Sequence, residues 1–264
     1  MKKLVLGLIL LSSTAFSATI EEANQLFSDR SLDAAGVAKA KDAAEMYGVL
    51  ASEATDNVIK GKLLTAQSKA VYFVGTHTSG DDAKAAIHNN GKNIAKTAMS
   101  LLAGNNELVA AATYQFGANL GKWGEAKGVT TSLGQWPTLK ENMRNIIKKL
   151  KQPQTEFYGA NRILGRAYFK IPKLLGGSKK KSKKYLEQAV NKTLLEGTNI
   201  SVYPTNNTYL AETWMKVKYK TKAKQLLTEF ITYVETNGYE AYNADLVPET
   251  KDEIVVAKKL LQQL

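Results

Sequence analysis

The sequence predicts an all-α protein built of antiparallel helical hairpins that form a tetratricopeptide-like α-solenoid. Apolar residues recur at helical spacing from about residue 20 to the end, and glycine, asparagine and proline interrupt the pattern at intervals. No segment shows the alternation expected of a half-buried strand. The interruptions are short, so successive helices should lie side by side and antiparallel. Repeated pairs over so long a chain indicate a solenoid rather than one four-helix bundle.

The first 17 residues have the pattern of a secretory signal peptide. Two lysines precede the apolar run 4–11, and small residues such as Ala15 and Ser17 follow it. A transmembrane helix needs about 20 apolar residues, and this run has fewer than half of them. Cleavage after Ser17 would leave residues 18–264, which we expect to form a single soluble domain in the periplasm.

The chain contains no cysteine, so it can carry neither a disulfide nor a cysteine-linked lipid anchor. A chain of this length can bury a core without disulfides. We therefore expect an exported protein that is not a lipoprotein.

The formal net charge is +12, and it falls to +10 if Lys2 and Lys3 leave with the signal peptide. Nearly all the basic residues are lysine, and the arginines are Arg30, Arg144, Arg162 and Arg166. Sequence-specific nucleic-acid recognition depends largely on arginine. We expect no nucleic-acid partner, and the charge favours solubility or an anionic partner in the cell envelope.

The periodicity predicts eleven helices. Asp81 or Asp82 should cap the fourth, and Pro137 should lie in the first turn of the sixth, where proline is tolerated. The predicted ranges are 20–28, 32–54, 56–74, 81–102, 108–123, 137–150, 156–170, 178–193, 206–217, 221–237 and 248–264.

Two segments match the tetratricopeptide pattern, which has a Leu-Gly pair and an aromatic residue on one helix and small and large residues on the next. Small residues let the paired helices approach closely, and the large ones fill the space around the contact. The first copy consists of Leu164, Gly165, Tyr168, Ser182, Leu186 and Ala189; the second consists of Leu210, Ala211, Trp214, Ala223 and Leu227.

The two copies differ in the turn between their helices. Ala223 lies nine positions after Trp214, as the pattern expects, whereas the matching interval in the first copy, from Tyr168 to Ser182, is longer by five. The extra residues lie in 171–177, where Pro172 should end one helix and Ser178 should cap the next. We expect an enlarged hairpin tip there.

Several short segments carry a family resemblance. They are LGKWGEAKG at 120–128, Leu133, Leu139 with Lys140, YGANRILGRAY at 158–168, and PKLLGGS at 172–178. Over residues 108–231 the chain resembles the T-component family of tripartite ATP-independent periplasmic (TRAP) transporters. The resemblance implies degenerate tetratricopeptide hairpins, a ring-like homotrimer around a central pore, and pairing with a periplasmic solute-binding subunit. Family members carry a lipid-bearing cysteine, which this chain lacks.

Five residues within or just before these segments combine apolar faces with polar tips and are candidates for ligand or partner binding. They are Gln115, Asn119, Trp123, Arg162 and Arg166.

A lysine run at the start of the predicted helix 178–193 is a candidate basic surface. It consists of Lys179, Lys180, Lys181, Lys183 and Lys184. Cations are unfavourable at a helix N-terminus because of the macrodipole. The run could meet an acidic partner or lipid headgroups, although a solvated lysine face is the commoner meaning of such a pattern.

The sequence contains no recognisable catalytic or phosphate-binding motif. His77 and His88 could in principle hold a metal, but we prefer to interpret them as two exposed polar side chains beside a capped helix start, which needs no ligand geometry. Glu125 and Glu141 could pair as acid and base, but any helical protein with 24 acidic residues offers such pairs. We expect no enzyme activity, cofactor or metal.

The leading functional hypothesis is a periplasmic adaptor of a TRAP-type transporter that contacts a solute-binding subunit and handles a small ligand. The alternative is a general envelope scaffold that binds a peptide or protein, as tetratricopeptide arrays commonly do. An enzyme with an unrecognised site is the third hypothesis.

Overall fold

The computed structural model describes residues 19–264, so the predicted signal peptide lies outside the described residues. The structure is 81% helical and has no strand among the described residues, which confirms the all-α class. Its only extended pairing in that range is an isolated antiparallel bridge between Leu194 and Ser201. Within residues 19–264, no helix is both long and apolar enough to cross a membrane.

The chain forms two compact units, one reaching Ala126 and the other spanning Lys127–Leu264. The earlier unit contains α1 (19–28), α2 (Ala34–Glu53), α3 (Asn57–His77), α4 (Asp81–Leu101) and α5 (Asn106–Lys127). The later unit contains α6 (Val129–Ser132), α7 (Trp136–Lys148), α8 (Thr155–Lys170), α9 (Lys179–Asn191), α10 (Pro204–Lys216), α11 (Lys220–Asn237), α12 (Tyr239–Asn243) and α13 (Val247–Leu261). The expectation of one continuous solenoid domain stays a prediction.

All eleven predicted helices are present, with ends within four residues of the predicted ones. The short helices α6 and α12 were not predicted, because four or five residues are too few to show a helical period. The predicted cap of α4 was wrong. Gly80 occupies the N-cap position without a side-chain hydrogen bond, and Asp81 and Asp82 lie in the first turn, where the helix dipole favours their charge.

In the first unit, α2 packs against α3 and α3 against α4 around a core rich in alanine. Asp33 and Asp56 cap α2 and α3, each accepting a hydrogen bond from a backbone amide three residues on, at 2.7 and 2.8 Å. A Cβ added at Gly61 would lie 2.6 Å from Cγ of Leu102. Small residues therefore set the close approach of these helices.

In the second unit, each helix from α8 to α11 packs against the next, and α10 also contacts α8 and α13. Gly165 of α8 faces Leu186 of α9, and Ser182 of α9 shares a 3.0 Å hydrogen bond with Thr213 of α10. Leu186, Leu210 and the rest of the motif positions are buried, except for the half-buried Trp214. The motif residues thus pack where the pattern predicts small and large contacts.

The enlarged tip between α8 and α9 is an ordered turn. A 3₁₀ turn covers Lys173–Leu175, Gly176 adopts the left-handed conformation with φ 95°, and the amide of Gly177 donates to the carbonyl of Pro172 at 3.0 Å. Ser178 caps α9 by accepting from the amide of Lys181 at 3.2 Å. The predicted stop at Pro172 and cap at Ser178 are confirmed.

Candidate functional site

The predicted ligand-binding residues fall into both units. Gln115, Asn119 and Trp123 lie on α5 in the first unit, whereas Arg162 and Arg166 lie on α8 in the second.

Asn119 is fully buried and joins three helices of the first unit. Its Nδ2 donates to the carbonyl and hydroxyl oxygens of Ser68 on α3, at 3.3 and 3.1 Å, and to the carbonyl of Gln115 at 3.1 Å. Its Oδ1 lies 3.1 Å from Nδ1 of His88 on α4. Because Nδ2 of Asn119 faces carbonyl acceptors, Oδ1 must be the atom that faces the histidine. An amide oxygen can only accept, so Nδ1 of His88 is the donor.

The expectation that His88 is exposed was wrong, since only 1% of it is accessible. The ring fits because α3 carries a glycine beside it: a Cβ at Gly75 would lie 2.8 Å from the imidazole. Burial lowers the pKa of His88, and the hydrogen bond with Asn119 opposes that effect. We infer that the imidazole is neutral at pH 7.

The other two candidates of the first unit differ in accessibility. Gln115 is 3% exposed and lies inside the unit. Trp123 is half-buried, with Nζ of Lys92 5.7 Å from the centre of its ring. Of the three α5 candidates, only Trp123 presents a surface to a partner or ligand.

A cavity of about 160 Å³ lies beside His88. Its charges are balanced, and Lys122 and Glu125 within it form an ion pair at 3.2 Å. No group of three or more metal-ligating residues occurs between residues 19 and 264. The cavity can hold a small polar molecule. Its lining consists of Gly75, Thr76, Asp81, Lys84, His88, Lys122, Glu125 and Ala126.

Arg162 lies inside the second unit, with 4% of its surface exposed. Its Nη1 donates to Oδ1 of Asn206 at 3.2 Å and to the carbonyls of Glu156 and Phe157 at 3.3 and 3.4 Å. Its guanidinium lies 3.7 Å from the centre of the Tyr203 ring. These contacts are those of a residue that holds the start of α8.

The segment that Arg162 holds is strained. Glu156, Phe157 and Tyr158 have φ of 49°, 54° and 58°, in the left-handed region. This conformation costs about 1–2 kcal/mol for each non-glycine residue. The hydrogen bonds from Arg162 to two of these carbonyls compensate for part of that cost.

Arg166 lies one turn further along α8 in a more accessible position. Its guanidinium forms an ion pair with Glu212 of α10 and lies 4.2 Å from the centre of the Tyr209 ring. The side chains of Arg166 and Glu212 are 21% and 26% exposed.

Further along the same face of α10, the hydroxyl of Thr208 donates to Glu253 of α13 at 2.6 Å. A row of polar groups therefore crosses α8, α10 and α13, and all are half-buried except Thr208, which is fully buried. We call it the charged strip; it consists of Arg166, Thr208, Tyr209, Glu212 and Glu253. Sequence reasoning found only Arg166, because its partner lies 46 residues away and no local pattern links the two.

The lysine run is partly engaged within the fold. Nζ of Lys179 donates to the carbonyl of Phe169 and lies 3.7 Å from the centre of that ring, and burial lowers its pKa. Lys183 pairs with Glu187 at 3.1 Å. These contacts, together with the Ser178 cap, offset the unfavourable position of the run at a helix N-terminus.

The two units thus offer different sites: a small polar cavity beside a neutral histidine in the first, and the charged strip in the second. No protein-family model matches this chain, and no curated protein does. The charged strip is an accessible group that contains Arg166, one of the candidate residues from the sequence.

Proposed function

We propose that the protein is an exported adaptor whose second unit is a tetratricopeptide-like solenoid, and that it serves a TRAP-type transporter by binding its periplasmic solute-binding subunit. The resemblance over residues 108–231 supports the transporter assignment. The homotrimer and the small ligand that the resemblance implies belong to the same proposal.

The order in which the helices of the second unit pack supports the proposal that this unit is a solenoid. The first helices of the two hairpins, α8 and α10, contact each other as well as their own partners α9 and α11, and α13 continues the row beside α10. In tetratricopeptide arrays, the first helices of successive hairpins pack side by side in this way. The contact of Gly165 with Leu186 supports the same arrangement.

The charged strip supports a protein partner. Arginine and tyrosine are enriched at the centres of protein interfaces, because they combine a large contact area with directed hydrogen bonds. Arg166 and Tyr209 already stack on each other, so little side-chain entropy remains to be lost on binding. A carboxylate of the partner could share the guanidinium with Glu212.

Co-purification from a periplasmic extract tests the proposal. The tagged protein should retain a solute-binding subunit, and native mass spectrometry of the complex should report the stoichiometry, including a trimer. Arg166→Glu should abolish retention, because it places two like charges together in the strip. The double variant Arg166→Glu/Glu212→Arg restores the ion pair and should recover part of the binding.

Arg144→Glu is the matched control, because it reverses an exposed arginine on α7 of the same unit. Retention of the same subunit by wild type, the control and Arg166→Glu alike would contradict a role for the strip. Absence of any solute-binding subunit from the wild-type eluate would contradict the transporter assignment.

A second surface favours the alternative function, a scaffold for an extended peptide. A shallow groove of about 1040 Å³ follows α11 as far as Asn237, and its lining includes Trp214 of α10. Its helix face is mainly uncharged, with Thr221, Gln225, Thr228 and Thr232 in the lining. The stretch 221–236 is about 22 Å long at 1.5 Å per residue, enough for about six extended residues. Under this alternative, Thr228→Arg should remove the partner and Arg166→Glu should not.

A further inference from the structure

We propose that the second unit docks on the surface of an anionic lipid bilayer through the end at which α8 turns into α9 and α10 turns into α11. We call this end the hairpin end; it comprises residues 170–184 and 216–224. The inference is independent of the transporter role, because it uses other residues and a different partner.

The hairpin end is strongly and locally cationic. Residues 157–186 contain seven lysines and no acidic residue, and residues 213–228 contain five lysines and no acidic residue. These twelve are a third of the 36 basic residues of the chain. They are Lys170, Lys173, Lys179, Lys180, Lys181, Lys183, Lys184, Lys216, Lys218, Lys220, Lys222 and Lys224.

The two turns are neighbours in space. Nζ of Lys183 on α9 lies 5.0 Å from the centre of the Tyr219 ring, between α10 and α11. Nε1 of Trp214 donates to Glu187 at 3.1 Å. Burial is the main cause of the lowered pKa of Lys179, and Lys216 is among the nearby cations that lower it further. The two lysine groups therefore form one surface.

Most of the charge at the first turn is not neutralised within the protein. Lys183 is paired with Glu187. The part of the chain that the structure describes provides no ion-pair partner for five other lysines, and all five are exposed. They are Lys170, Lys173, Lys180, Lys181 and Lys184.

Apolar side chains project from the middle of this cationic surface. Leu174 is 98% exposed and Leu175 is 46% exposed. The turn that carries them is ordered, because the amides of Leu175 and Gly177 both donate to the carbonyl of Pro172, each at 3.0 Å. At the second turn, Tyr219 is 44% exposed. Both turns therefore present an apolar residue with lysines on either side.

This order of groups fits a bilayer better than an acidic protein. A bilayer presents anionic headgroups first and an apolar layer beneath, and a projecting leucine with lysines around it matches both. Stable attachment without a spanning helix takes two signals, such as an apolar insertion and a basic patch. A protein partner would instead need its own pocket for Leu174.

A lysine occupies a left-handed backbone position at the second turn. Lys218 follows the C-cap of α10 and has φ 69°, in the left-handed region. Glycine or asparagine is the usual residue at this position, because other side chains are strained there.

Sedimentation of the full chain with extruded vesicles tests the proposal. Vesicles of equal parts phosphatidylglycerol and phosphatidylcholine should bind the protein at low salt, and vesicles of phosphatidylcholine alone should not. Leu174→Ser/Leu175→Ser should weaken binding by about tenfold or more, because the apolar insertion is lost. Lys173→Gln/Lys180→Gln/Lys184→Gln should weaken it about 100-fold, at about fivefold for each lysine.

The triple variant Lys148→Gln/Lys149→Gln/Lys192→Gln is the matched control. It removes the same charge from exposed lysines near the opposite ends of α8 and α9. Its affinity should stay within about twofold of wild type, and circular dichroism should show that all variants are folded. Absence of wild-type binding to anionic vesicles, or equal losses in the two triple variants, would overturn the proposal. So would selective binding to an acidic protein with none to vesicles.

Discussion

Gly165→Ala in α8 should destabilise the second unit, although alanine is the better helix former. A Cβ at this position would lie 2.5 Å from Cγ of Leu186 and 2.9 Å from its Cδ2. Leu186 is fully buried, so it has little room to move away. Overpacking of a core costs about 1–3 kcal/mol. The higher helix propensity of alanine offsets about 1 kcal/mol of this cost. We expect a net loss of up to about 2 kcal/mol.

A double-mutant cycle separates the two contributions. Leu186→Ala alone should cost about 2–5 kcal/mol, because it leaves a cavity. In that background the alanine at position 165 has space, so Gly165→Ala should be neutral or stabilise by up to about 1 kcal/mol. The coupling between the two sites should therefore be about 1–3 kcal/mol. Urea denaturation followed by far-UV circular dichroism measures each term.

Gly121→Ala provides the control, because it lies within α5 and a Cβ there would meet nothing within 4 Å. It should leave stability unchanged or raise it by up to about 1 kcal/mol. The reasoning would be refuted if Gly165→Ala were as stable as the control, or if its effect were the same with and without Leu186.

Three further predictions concern single residues. Lys218→Gly should raise the unfolding free energy by about 1 kcal/mol, because glycine is not strained in the left-handed conformation. It should also weaken binding to anionic vesicles about fivefold, because one lysine is lost. An unchanged melting temperature would contradict the strain at Lys218. Arg162→Ala should lower the unfolding free energy by about 3 kcal/mol in urea titrations, because it removes the donor to the Glu156 carbonyl and to the buried Oδ1 of Asn206; a loss below about 1 kcal/mol would contradict its structural role. Burial holds the pKa of His88 below its unfolded value of about 6.5, so the unfolded chain binds more protons just below that pH. The free energy of unfolding should be constant above pH 7 and decrease towards pH 5, and the decrease should be smaller in His88→Gln. An equal decrease in both proteins would show that other groups cause it.

The helix ends were largely predictable because they depend on neighbours in the chain. Pro172 prevents α8 from continuing, and Ser178 bonds to an amide three residues ahead. Both effects act within one turn of helix. The cap of α4 was mispredicted because Gly80 precedes two aspartates that suit the first turn as well as the cap.

The burial of His88 could not be predicted from its own helix. Its site is made by Gly75 on α3 and Asn119 on α5, which lie 13 and 31 residues away in the chain. A polar residue on α4 is ordinarily solvated, and only the approach of two other helices removes it from water. The same applies to Arg162, which interacts with Asn206 across 44 residues.

The sequence by itself determined the all-α class, the order of the helices and the cationic composition of the two turns, because period, turn residues and charge are properties of short segments. The tertiary structure decided which charges are paired, which are buried and which remain at the surface. It placed Glu212 against Arg166, gave Lys183 its partner, and left Leu174 exposed beside lysines that have no ion pair among the described residues. Such outcomes depend on distances between residues far apart in the chain, and helix packing alone sets those distances.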